Sequence, residues 1–161
     1  MTAANETVAR PSAQKLVITR VFNVPRELVW KAWTEREHLL RWSCPAKFVT
    51  LFSEVDLESG GAWRVGMRSP EGQEYVMFGS YREIVAPERL VFTHGWEQDE
   101  LHDGHETLVT VVLEETSSGT KMTFTQSNLA TASSRDGHIE GWSGAFDNLN
   151  NYLHKVQNAK G

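Results

Sequence analysis

"RDGHIEGWSGAFDNLNNYL", Arg135–Leu153, is the stretch on which the fold turns. Its apolar residues Ile139, Trp142, Phe146, Leu149 and Leu153, continued by Val156, step by threes and fours, the spacing of one helix face. The periodicity predicts a helix from about Thr131 to Gln157. So long an apolar stripe needs a covering surface, and the segments before it supply one.

Those segments read with a period of two. "KMTFTQS" (Lys121–Ser127) aligns Met122, Phe124 and Gln126, and "HETLVTVVLEE" (His105–Glu115) precedes it across the turn "TSSGT". "LVFTHGW" (Leu90–Trp96) places Leu90, Phe92, His94 and Trp96 on one face. In "EYVMFGSYREIV" (Glu74–Val85), Gly79 predicts a bulge or a close backbone approach. "AWRVGMR" (Ala62–Arg68) sets Trp63, Val65 and Met67 against Arg64 and Arg68. In "FVTLFSEVDL" (Phe48–Leu57) the odd positions are apolar, with Ser53 interrupting. The turns "SGG", "SPEG" and "APER" are too short for helical crossovers, so the strands run antiparallel.

Upstream, "KLVITRVFNV" (Lys15–Val24) is a strand with apolar residues on both parities, ended by Pro25. "PRELVWKAWTEREHLLRW" (Pro25–Trp42) then changes period. Leu28, Val29, Ala32 and Trp33, followed by Leu39, Leu40 and Trp42, predict two short helices. Pro25 suits the start of the first, and Thr34 with Glu37 resembles a capping box for the second. The fold class is therefore α+β: a curved antiparallel sheet of about seven strands wrapped around a long C-terminal helix, with two short helices after the first strand.

With 161 residues, one domain is expected, over 15–158, preceded by a flexible polar tail at 1–14. The net charge of −5 and the lack of a concentrated basic face argue against nucleic acid and anionic membrane as partners. No apolar run reaches the roughly 18 residues of a membrane span, and no secretory signal is present. Cys44 is the only cysteine, which fits a reducing, cytoplasmic setting.

Few residues offer chemistry. His138 and Trp142 share a helix face, whereas Glu140 lies about 200° from His138, so the two titratable groups do not converge. His138 is expected at the rim near the helix start, with Asp136 accepting first-turn amides. His94 falls on an apolar strand face, as a core residue or a polar contact for a ligand. "HDGHE" (His102–Glu106) reads as a surface loop, since His105 and Glu106 point to opposite faces of a strand. Cys44 has no sequence-local base and reads as a passive thiol. No Gly-x-Ser-x-Gly elbow, phosphate loop or dinucleotide fingerprint occurs, and no cofactor or metal is expected. Trp63, Met67, Phe124, Trp142 and Phe146 are the candidates for lining whatever space the sheet and helix leave.

The stretches "ITRVFNVPRELVWKAWTEREHLLRW", "VDLESGGAWRVGMRSPEG", "GSYREIVAPERLVFTHGWE", "HETLVTVVLEE" and "RDGHIEGWSGAFDNL" together resemble a known family. It comprises bacterial proteins similar to the C-terminal domain of the activator of Hsp90 ATPase, within the START-like, or Bet v 1-like (SRPBCC), superfamily. The resemblance covers about residues 15–155 and implies a helix-grip fold. Relatives often read Arg-Trp-Trp-Gly-Pro where this chain has Arg41-Trp42-Ser43-Cys44-Pro45. Trp42 joins the candidate lining, and Ser43 implies a smaller and wetter wall at the cavity mouth.

The resulting expectation is a non-enzymatic domain, monomeric or homodimeric, with an internal hydrophobic cavity for a lipid-like or aromatic molecule. His94 or His138 would orient the ligand. The alternatives are a chaperone or stress-related interaction module, with the acidic stretch Glu97–Glu106 as its contact surface, and a cavity enzyme such as a cyclase, dehydratase or hydrolase. Fold alone does not choose among them.

Overall fold

The connections between consecutive strands decide the sheet. The computed structural model describes residues 8–9, 15–44, 47–97 and 106–160. The strands are β1 (Val8–Ala9), β2 (Lys15–Phe22), β3 (Val49–Val55), β4 (Ala62–Arg68), β5 (Glu74–Val85), β6 (Arg89–Trp96), β7 (Thr107–Glu115) and β8 (Thr120–Ser127). The helices are α1 (Arg26–Thr34), α2 (Arg36–Trp42) and α3 (Ala132–Lys160). From β3 to β8 each strand pairs with its sequence neighbour, and the full antiparallel order is β1-β2-β8-β7-β6-β5-β4-β3. Placing β2 beside β8 forces α1 and α2 to carry the chain across to the far edge, where β3 begins. The sheet curves around α3, and seven long strands match the expected number. The two-residue β1, from the segment read as a tail, pairs Val8 with Thr19.

Burial resolves the mixed parity of β2. Leu16, Ile18, Arg20 and Phe22 all face inward. A charged residue thus occupies a core position in register with Met122 of β8. Arg20 donates from Nη2 to the Ser143 carbonyl at 3.1 Å and to Asp147 Oδ1 at 2.9 Å. Its guanidinium carbon lies 5.9 Å from the Phe146 ring. These contacts fasten α3 to the sheet along the face that buries Trp142, Ala145, Phe146, Leu149 and Leu153.

Three local expectations are corrected. No side-chain bond caps α2: Thr34 instead turns its hydroxyl back to the Trp30 carbonyl at 2.8 Å, and Glu35 occupies the cap position. At the start of α3 the Ser134 amide donates to Thr131 Oγ1 at 3.0 Å, while Asp136 Oδ1 accepts from Arg135 Nε. In β3 a register shift between Thr50 and Phe52 breaks the simple alternation. Val49 is 56% and Leu57 40% exposed, whereas Ser53, the apparent interruption, is 1% exposed.

Gly79 makes the close approach expected of it. A Cβ there would lie 1.8 Å from the Thr93 carbonyl oxygen and 2.7 Å from Trp63 Nε1. Only glycine leaves room for the Trp63 indole to cross β5 and donate to that same carbonyl at 3.1 Å. Among the described residues no helix is long and apolar enough to cross a membrane.

Candidate functional site

Trp33 closes the apolar face of α1, in helical register with Leu28, Val29 and Ala32. That face turns toward the sheet, and the fit between them is incomplete. A cavity of about 40 Å³ remains. Trp33, Leu39, Trp42 and Ser43 wall it from α1, α2 and the residue that follows. Glu54, Val55, Trp63, Val65, Met77, Tyr81, Leu90 and Phe92 wall it from the sheet, and Trp142 from α3.

The volume is small because aromatic rings fill most of the gap. Trp33 is their hub: its ring centroid lies 4.8 Å from that of Trp42, 6.1 Å from Phe124 and Phe146, and 6.4 Å from Trp142. Phe124 and Trp142 approach to 4.6 Å, and Trp142 and Phe146 to 5.7 Å. These separations fall in the attractive range for edge-to-face and offset pairs.

Beyond Trp142 lies a buried polar chain. The Trp142 indole N–H donates to Gln126 Oε1 at 2.9 Å, and Gln126 Nε2 donates to Thr107 Oγ1 at 2.8 Å. Thr107 in turn donates to the His94 carbonyl at 3.0 Å. The His94 ring sits among Trp63, Trp96, Trp142 and His138, with centroids 5.6–5.8 Å away. His138 donates from Nδ1 to the Ser134 carbonyl at 2.7 Å and accepts at Nε2 from Trp96 Nε1 at 3.3 Å. Burial pushes its pKa below the usual histidine value, against the opposing effect of the Ser134 bond. Both ring nitrogens are occupied and the ring is neutral, an arrangement that positions α3 against β6.

The predicted residues therefore divide by place. Trp42, Trp63 and Trp142 border the cavity, while Phe124 and Phe146 are fully buried among the rings beside it. Met67 is buried outside the wall, and Met77 on the neighbouring strand stands in it. His94 and His138 come together, with Trp142 in ring contact with His94. Glu140 is exposed. His102 and His105 lie outside the described residues, among which no group of three or more potential metal ligands occurs.

The Ser43–Cys44 pair does not make the wall wetter. Ser43 donates its hydroxyl to the Leu39 carbonyl at 2.7 Å, which leaves its apolar side toward the cavity. Cys44 is buried and accepts from Thr50 Oγ1 at 3.0 Å. Burial pushes its thiol pKa up to about 11, with the Thr50 bond opposing. It is an inert thiol. Tyr81 is likewise held in its phenol form, chiefly by burial and also by the charge of Asp56.

Sequence patterns missed one titratable cluster. The Tyr152 hydroxyl donates to His38 Nδ1 at 2.5 Å, and His38 Nε2 faces Glu35 Oε1 at 3.4 Å. Burial raises the Tyr152 pKa, so this chain ties α2 to α3 through a protonated phenol. Its partners are 114 residues apart in sequence, beyond the reach of spacing arguments.

The model of a family described as activator of Hsp90 ATPase homolog 1-like protein matches residues 23–154. The chain belongs to that family. Protein NE0264 from Nitrosomonas europaea is 27% identical, with a TM-score of 0.76 over 89% of this chain and 96% of its own. The SPO3351 protein of Silicibacter pomeroyi is 25% identical, with a TM-score of 0.79 over 88% and 99%. An Arthrobacter aurescens protein, at 22% identity, shares the fold with a TM-score of 0.82 over 92% and 91%. None of the curated proteins matches. Membership of the Hsp90 ATPase activator homolog family carries a START-like, ligand-binding type of domain.

Proposed function

We propose that this chain is a small-molecule binding domain whose site is the cavity between α1–α2, strands β3–β6 and α3. The observation that carries the proposal is the wall, where four tryptophans, a phenylalanine and an adaptable methionine surround a space on the inner face of the sheet. Its volume of about 40 Å³ compares with roughly 150 Å³ for an engineered cavity that takes benzene. A lipid chain does not fit this space. A single ring needs less added room than a lipid chain, and the adaptable Met77 in the wall is the side chain suited to yield it, so the aromatic half of the expectation is the one retained. Burial of the ring drives binding at roughly 25 cal/mol per Å² of apolar surface.

Residues 98–105 of the acidic stretch expected to serve a chaperone partner lie outside the described residues, and the exposed apolar residues among those described do not add support. The large exposed apolar residues among those described, Val49, Leu57, Val85 and Leu108, come from four separate stretches. The buried Cys44 thiol, the only cysteine of the sequence, suits a domain working in the cytoplasm.

Titration with single-ring molecules, followed by tryptophan fluorescence and thermal denaturation, tests the proposal. A saturable one-to-one fluorescence change with a matching rise in Tm is expected. No saturable change up to the solubility limit of every probe contradicts it.

A further inference from the structure

Four indoles border the cavity, and three of their N–H groups are occupied. Trp42 donates to the Ala32 carbonyl at 2.8 Å, Trp63 to the Thr93 carbonyl at 3.1 Å and Trp142 to Gln126 Oε1 at 2.9 Å. The fourth is different. Trp33 is 4% exposed, and its Nε1–H has no partner among the described residues. Native interiors satisfy nearly all such donors, and an exception calls for a reason.

A second unmet group lies in the sheet. Ser53 pairs directly with Val65, a wall residue, so the two side chains share a face. Its hydroxyl is also buried without a partner among the described residues. Neither group holds the fold through a bond to another of the described residues. Of the two, Trp33 stands in the cavity wall, and it offers a donor only.

Charge narrows the class further. Among the described residues no cationic side chain lines the cavity, and the one charged wall residue, Glu54, is acidic. An anionic headgroup would enter without a counter-charge, which burial penalises heavily. We propose that the ligand is a neutral single-ring molecule carrying a hydrogen-bond acceptor, a carbonyl or ether oxygen, that receives the Trp33 indole N–H. This rests on the cavity being the binding site and adds the feature that selects among ring compounds.

Three molecules of nearly one shape separate the outcomes: acetophenone, α-methylstyrene and benzoate. Acetophenone is expected to bind about five- to tenfold more tightly than α-methylstyrene, the increment of one net hydrogen bond, and benzoate not measurably. In ¹H–¹⁵N spectra of the unaltered protein, the Trp33 indole proton is expected to move downfield with acetophenone and not with α-methylstyrene. Trp33→Phe is expected to abolish the preference for acetophenone over α-methylstyrene, whatever it does to the affinity for both. Equal binding of acetophenone and α-methylstyrene, or preferred binding of benzoate, overturns the acceptor assignment and leaves the cavity as a binding site. Failure of all three to bind overturns the cavity reading itself.

Discussion

Arg20 on β2 and Asp147 on α3 meet at 2.9 Å, so a guanidinium rooted in the inner face of the sheet holds the helix that the sheet wraps. Arg20 is 2% exposed and Asp147 66%, so one partner is buried and the other stands at the rim. Burial lowers the Arg20 pKa, and the Asp147 carboxylate works against that shift.

Removing the carboxylate takes a charged hydrogen-bond partner from a buried guanidinium. Asp147→Ala is expected to destabilise the fold by about 1.5–3 kcal/mol, the range for a lost hydrogen bond to a charged group. Arg20→Met removes charge and need together and is expected to cost less. Urea denaturation of both variants checks the order, and an unchanged midpoint for Asp147→Ala contradicts the clamp.

The four cavity tryptophans allow one chemical change to be compared at different sites. Trp42→Phe and Trp142→Phe each strand a buried acceptor, the Ala32 carbonyl or Gln126 Oε1. Trp33→Phe strands nothing, because its N–H has no partner among the described residues. The first two are expected to cost about 1–3 kcal/mol more than the third. A larger loss at Trp33 than at the other two contradicts this assignment of the indole bonds.

How far the sequence foretells this arrangement depends on the residue. The stripe Trp142, Phe146, Leu149 and Leu153 announces α3, because helical periodicity is local. Arg20 is illegible for the opposite reason: a charge on an inward strand position is tolerated through partners on α3 such as Asp147, 127 residues away. Ser53 misleads similarly, since the register shift in β3 buries it and exposes Val49. Met67 and Met77 both occupy inward positions on adjacent strands, and the register pairs Met77 with the wall residue Val65 but Met67 with Tyr75, outside the wall. Trp33 is recognisable as an apolar helix residue, but not as the hub of rings drawn from β6, β8 and α3.

His138 gives stability a direction with pH. Its folded pKa lies below the ordinary value of about 6.5. The unfolded chain therefore binds more protons between the two values, and stability falls as pH drops below about 6.5. Its contribution is complete above that value. His138→Gln is expected to flatten the stability profile between pH 7.5 and 5. Superimposable profiles for the two proteins contradict a buried neutral ring.

Cys44 supplies a probe of opening. With its thiol buried and its pKa pushed up to about 11, thiolate is scarce at pH 8. A disulfide reagent is expected to label the native protein far more slowly than the urea-unfolded chain. Comparable rates contradict the burial of this residue beneath Thr50.

The central claim is a site between Trp33, Trp63 and Trp142 that widens to take a single ring. A crystal structure of the protein soaked in acetophenone tests it most directly. The account predicts density for one molecule inside the cavity, its oxygen within hydrogen-bond distance of Trp33 Nε1 and Met77 displaced from the wall. An interior unchanged by the soak, with density confined to the surface, contradicts it.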